Sequence, residues 1–92
     1  MNKTAYRYFF ENRETYQKTF DKAVEIVKEN GLFEIEIGPD PADFFGTGFF
    51  AIGNSNNLMP LYKFIYYFKE YLLKEDISFA RTRIDKNGQR AK

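Results

Sequence analysis

The sequence predicts an α+β fold, a two-layer sandwich in which two helices cover one face of a small, mainly antiparallel sheet. Two segments repeat their apolar residues at helical spacing, and the remaining runs have the alternating or aromatic composition of strands. At 92 residues the chain suits a single core, and no interdomain linker is visible. We therefore expect one domain over residues 1–84, followed by a basic flexible tail over residues 85–92.

The first helix is predicted within residues 11–29. Apolar side chains recur there at helical spacing, and charged residues occupy the opposite side. Asn30 and Gly31 follow, and glycine suits the left-handed conformation that often ends a helix. One face of this helix is therefore expected in the core.

Residues 4–10 fit two structures. The helical phase continues backwards through Ala5 and Phe9, which favours one long helix. The aromatic composition suits a strand instead, and Asn12 suits the cap of a helix that begins at Arg13. The long helix gives the order α-β-β-α-β, and the strand gives β-α-β-β-α-β, the split βαβ order of ferredoxin-like domains. Both alternatives remain open at this point.

Three further strands are predicted from short runs. Residues 32–37 alternate apolar and acidic side chains, which places Phe33, Ile35 and Ile37 inward. Residues 48–53 are expected to pair antiparallel with that strand, and residues 77–84 have strand composition.

The second helix is predicted over residues 58–75, with Asn57 as its cap and Pro60 in its first turn. Its expected inner stripe consists of Leu58, Leu61, Ile65, Phe68 and Leu72. Tyrosines fall on the opposite side and flanks, so we expect some of them to stand partly in water.

The composition argues against several classes of function. Without cysteine or histidine, the chain lacks disulfides, thiolate sites, the usual general base and the commonest metal ligand. The glycines on either side of Thr47 lead into strand residues rather than a helix, unlike a phosphate-binding loop. We therefore predict a protein that is not an enzyme and has no metal and no cofactor. No apolar segment suits a signal peptide or a membrane span, which predicts a cytoplasmic location.

An aromatic loop suggests the function. Aromatic residues make up 20% of the chain, and residues 38–57 set two pairs of phenylalanines among glycines and prolines. Loops of turn-forming residues normally run over the surface, so these rings either fold back into the core or contact a partner. The predicted partner-binding residues are Phe44, Phe45, Tyr67 and Tyr71. They suggest a small protein-interaction module, a regulatory adaptor or an inhibitor of a larger protein, with self-association included.

The alternative is a nucleic-acid-binding protein, because basic residues are concentrated in the last strand and tail. The residues predicted to contact phosphates are Arg81, Arg83, Lys86 and Arg90. The aromatic motif of RNA-recognition domains is not matched around residues 47–52. The two arginines have a structural explanation as well, since cross-strand ion pairs with Glu34 and Glu36 would account for both sets.

Overall fold

The computed structural model describes residues 3–40, 47–54 and 58–84. Six elements follow one another in the order β-α-β-β-α-β: β1 (Lys3–Phe10), α1 (Arg13–Glu29), β2 (Ile35–Pro39), β3 (Gly48–Asn54), α2 (Met59–Lys74) and β4 (Phe79–Ile84). The strands form one antiparallel sheet in the order β2-β3-β1-β4. Side chains from both helices meet those of the sheet in one core cluster. The predicted α+β class is confirmed, in its split βαβ form.

The long-helix alternative for residues 4–10 is wrong, because these residues form a central strand. β1 pairs with β3 on one side and with β4 on the other, and Tyr8 and Phe10 point into the core. The helix begins only at Arg13, where the Asn12 side chain accepts a hydrogen bond of 2.9 Å from the Thr15 amide. Pairing on both sides satisfies the backbone groups that a helix would have satisfied internally.

The end of α1 explains why β2 begins later than expected. Gly31 has φ +63°, and the Leu32 and Gly31 amides donate to the carbonyls of Val27 and Lys28, which is a Schellman motif. Leu32 is buried by this motif, whereas Phe33 lies in the following turn and is 94% exposed. The prediction that Phe33 points inward is therefore wrong.

The second helix begins at Met59, with Leu58 at the cap position and no side-chain hydrogen bond there. The predicted cap, Asn57, lies outside the described residues. At the other end, the Ile77 amide donates to the Leu72 carbonyl at 2.9 Å, and Asp76 takes the left-handed conformation with φ 53°. Both helices therefore end in the same motif, with glycine in one and aspartate in the other.

Aromatic rings join α2 to the centre of the sheet. Phe49 on β3 stacks against Tyr8 on the neighbouring strand, with ring centroids 5.4 Å apart. Phe68 on α2 meets the Tyr8 ring edge-on at 5.2 Å and stacks on Phe64 at 5.3 Å. Such pairs add about 0.5–1.5 kcal/mol each beyond the burial of their area. They fix the inner face of α2 against β1 and β3.

The face of the sheet away from the helices carries a partly buried ion pair. Arg7 on β1 and Asp40, just after β2, approach to 3.1 Å, with the Asp40 side chain fully buried. Because β3 lies between β1 and β2, the pair spans the middle strand. The ion pair therefore links the end of β2 to the central strand β1.

The expected cross-strand pairs between glutamates and arginines do not form. Glu36 is on β2 and Arg81 and Arg83 are on β4, and these strands are the two opposite edges of the sheet. Glu34 lies in the turn before β2. Two strands separate the partners, which is too far for an ion pair.

Candidate functional site

The second helix is apolar on two opposite sides. Its inner side carries four fully buried residues: Leu61, Phe64, Phe68 and Leu72. Its outer side carries four large side chains that are 48% to 68% exposed: Met59, Tyr62, Tyr66 and Leu73. Their spacing matches about 3.6 residues per turn, so the exposed four lie in one row, which we call the outer stripe.

The first helix shows what an ordinary solvent-facing side looks like in this protein. The exposed side of α1 carries charged residues, and Glu25 on it pairs at 3.1 Å with the half-buried Lys22. A helix on the surface normally has one apolar and one polar side, as α1 does. The outer stripe departs from that pattern.

Charged residues border the outer stripe. Lys63 and Glu70 lie on one flank, and Lys69 lies on the other, all three exposed. The neighbouring Glu70 carboxylate raises the pKa of Tyr66 above its ordinary value, through side-chain hydrogen bonding to the neutral phenol and through its negative charge. The Tyr66 ring also meets the Tyr67 ring edge-on at 5.4 Å.

The residues predicted from the sequence are distributed differently. Tyr67 is 39% exposed and lies beside the stripe. Tyr71 is half-buried between the helices, where its ring stacks on Phe68 and the Lys22 ammonium lies 5.6 Å from its centroid. Phe44 and Phe45 lie outside the described residues.

The outer stripe was not predicted from the sequence, because the observed inner face of α2 is slightly rotated from the expected one. Ile65 was expected in the core row, but Phe64 is the buried residue and Ile65 is half-buried. The sequence feature that could have predicted the outer stripe is a second apolar row on the same helix. Met59, Tyr62 and Tyr66 recur at spacings of three and four residues, as the inner residues do.

The two described residues of the predicted nucleic-acid site are exposed on β4. The Arg81 guanidinium lies 5.3 Å from the centroid of the Tyr6 ring, and Tyr6 packs against the core cluster, so Arg81 is on the helix side of the sheet. Arg83, two residues along the strand, is on the same side. Lys86 and Arg90 lie outside the described residues.

Residues 3–40, 47–54 and 58–84 contain no group of three or more His, Cys, Asp or Glu side chains that could hold a metal ion. None of the helices there is long and apolar enough to cross a membrane.

Fold and surface together define a small α+β domain whose second helix presents an apolar row to solvent. Comparison with protein-family models, with curated proteins and with solved structures found no match for this chain.

Proposed function

We propose that this chain is a non-enzymatic protein-interaction module, an adaptor or inhibitor that docks the outer stripe of α2 onto a protein partner. The observation that carries the proposal is the exposure of four large apolar or aromatic side chains in one row. Complete burial of such a side chain contributes about 1.5–3 kcal/mol. Covering the row would therefore supply a substantial part of a binding free energy.

The shape and composition of the surface favour a protein over a small molecule. A helix side is convex, and small ligands bind in concave sites that enclose most of their surface. Tyrosine is enriched among the residues that dominate protein interfaces, and charged residues typically form the rim. The outer stripe has both features, with Tyr62 and Tyr66 in the row and Lys63 and Glu70 beside it. A helix that lies in an apolar groove of its partner is a common arrangement of this type.

The test compares a double variant, Tyr62→Ala with Tyr66→Ala, with the wild type in capture of protein partners from native lysate after nuclease treatment. Each truncation of a central tyrosine typically costs about 2 kcal/mol, which is about 30-fold in affinity. We expect the partner to be lost, while the melting temperature changes little because both rings are exposed.

Phe33→Ala is the matched control, because Phe33 is an exposed aromatic residue on a different part of the surface. It should retain the partner. Capture that is equal in the double variant and the wild type, or lost equally in the Phe33 variant, would contradict the proposal.

A second candidate, nucleic-acid binding, is favoured by the two exposed arginines on the same side of edge strand β4. Its test is the fluorescence anisotropy of a labelled single-stranded oligonucleotide. The candidate requires an affinity that falls steeply with salt and that drops in the Arg81→Gln, Arg83→Gln variant. Lys18→Gln with Lys28→Gln, on the exposed side of α1, is the charge-matched control. Salt-independent or undetectable binding would eliminate this candidate.

A further inference from the structure

We infer that the partner of the outer stripe is a second copy of this chain, packed with the two α2 helices antiparallel and a two-fold axis beside Tyr66. The inference rests on the proposed function, because it names the partner of the same surface. Three features of α2 carry it: the spacing of the stripe, the gap within it, and the placement of its charges.

The spacing of the stripe is symmetric about Tyr66. Met59, Tyr62, Tyr66, Lys69 and Leu73 follow the alternating steps of three and four that form the seam of a two-helix coiled coil. Met59 precedes Tyr66 by seven positions, and Leu73 follows it by seven. An antiparallel pair centred on Tyr66 therefore sets Met59 of each copy against Leu73 of the other.

The outer stripe has a gap, and in the antiparallel pair a tyrosine of the second copy would fill it. Between Tyr66 and Leu73 the outer stripe has no large apolar side chain, because Lys69 occupies the corresponding position at its edge, with Glu70 nearby. Tyr62 is four positions before Tyr66 and Glu70 is four positions after it, so Tyr62 of the second copy lies over this gap. The aliphatic stems of Lys69 and Glu70 line the hole, and the Lys69 ammonium can lie against the incoming ring.

The charges select the antiparallel arrangement. In antiparallel helices each flank faces the same flank of the other copy, so Lys63 lies opposite Glu70 twice, once in each half of the contact. A parallel pair would bring Lys69 against its own copy in the middle of the seam. Like charges there would be destabilising, whereas the antiparallel pair places Lys69 against Tyr62.

The size of the contact indicates a weak, reversible dimer. α2 has 16 residues, and two coiled-coil repeats bury less than the roughly 1,200 Å² of a standard stable interface. We expect a single-chain mass in dilute solution and a two-chain mass at high concentration, measured by sedimentation equilibrium.

Disulfide cross-linking tests the geometry directly, because the chain contains no cysteine of its own. Mixing the Met59→Cys and Leu73→Cys variants under mild oxidation should give a cross-linked dimer. Each variant alone should give little, since in the antiparallel pair two copies of either position are about 20 Å apart. Tyr66→Cys alone should cross-link with itself. Phe33→Cys, exposed and off the stripe, is the control.

The arrangement would be overturned if the mixture of Met59→Cys and Leu73→Cys cross-linked no faster than the Phe33→Cys control. This result would count even if Tyr66→Cys gave no cross-link, because that substitution removes the central ring of the contact. Charge reversal gives an independent test. Lys63→Glu or Glu70→Lys alone should weaken dimerisation about tenfold, because two symmetric pairs are affected, and the double exchange should restore it.

One combination of results separates this inference from the proposed function. A chain that stays monomeric at all concentrations, but loses a different protein partner in the Tyr62→Ala, Tyr66→Ala variant, overturns the second-copy inference and leaves the proposed function standing. A concentration-dependent dimer that this double variant disrupts supports both.

Discussion

Tyr8 brings a phenol hydroxyl into the contact between the sheet and α2. The hydroxyl is buried and makes no hydrogen bond of good geometry with the described residues. Burial raises the pKa of Tyr8 from 10.0 to about 12, and the positive charge of Arg81 offsets part of that rise. The core therefore strongly prefers the neutral phenol.

The raised pKa predicts a loss of stability at alkaline pH. Because the folded-state pKa lies above the unfolded one, the contribution of Tyr8 is complete below pH 10 and is lost as the pH rises towards 12. A shift of this size corresponds to about 2–3 kcal/mol at most. Urea unfolding between pH 8 and pH 11 should show a smaller alkaline loss for Tyr8→Phe than for the wild type. Parallel pH profiles would show that Tyr8 does not control this loss.

Among the described glycines, Gly53 on β3 has the closest neighbour, Leu61 on α2. A Cβ atom at Gly53 would lie 2.6 Å from the Leu61 Cβ, a distance that requires the helix to move. We expect Gly53→Ala to lower the free energy of unfolding by about 1–3 kcal/mol, the usual cost of overpacking a core. Gly38→Ala is the control, since a Cβ there meets the edge of the Phe50 ring at 3.1 Å. Equal losses in chemical denaturation would contradict the explanation.

At the scale of the elements, the two helix ends make a matched pair. Gly31 and Asp76 occupy the same left-handed position in their motifs, with φ +63° and φ 53°. Glycine adopts this conformation without the steric cost that other residues have. We expect Asp76→Gly to stabilise the fold by about 0.5–1 kcal/mol and Gly31→Asp to destabilise it by a similar amount. Opposite signs in thermal unfolding would refute this reading of the helix ends.

The elements differ in how far the sequence could predict them, for physical reasons. α1 was predictable because one side is buried and the other is charged. Residues 4–10 satisfied both the helical and the strand pattern. Their pairing with β4 decides between the two, and β4 lies too far along the sequence to enter a pattern read over neighbouring residues. Phe33 was misplaced because the motif that ends α1 uses Leu32 and delays the strand.

The sequence allowed the kind of candidate site to be predicted, but not the residues that form it. A surplus of aromatic residues indicated an interaction surface and drew attention to the second helix. The exact row could not be read, because a helix that is apolar on two sides gives two acceptable phases. Tyr71 illustrates the difficulty, since its ring contacts both Phe68 of its own helix and Lys22 of the other helix.

For the molecule as a whole, the sheet depends on its last strand. β4 covers one side of β1, and its removal would leave β1 as an unprotected edge. We expect a chain ended after Asp76 to lose cooperative unfolding and to aggregate, as measured by circular dichroism during urea titration and by light scattering. A shortened chain that unfolds cooperatively at the wild-type midpoint would show that β4 is dispensable.

The pairing of Ala5 with Ile84 also has a consequence for how the protein is made. Of the four described strands, β1 is the first to be synthesised, and one of its two neighbours, β4, is the last. Until β4 emerges, β1 has one partner at most among the described strands, so the sheet is complete only once residue 84 has been synthesised. Long-range pairing of this kind slows folding, because the closure of a long loop must precede the contacts that stabilise it. The domain should therefore reach its native state only after β4 has left the exit tunnel.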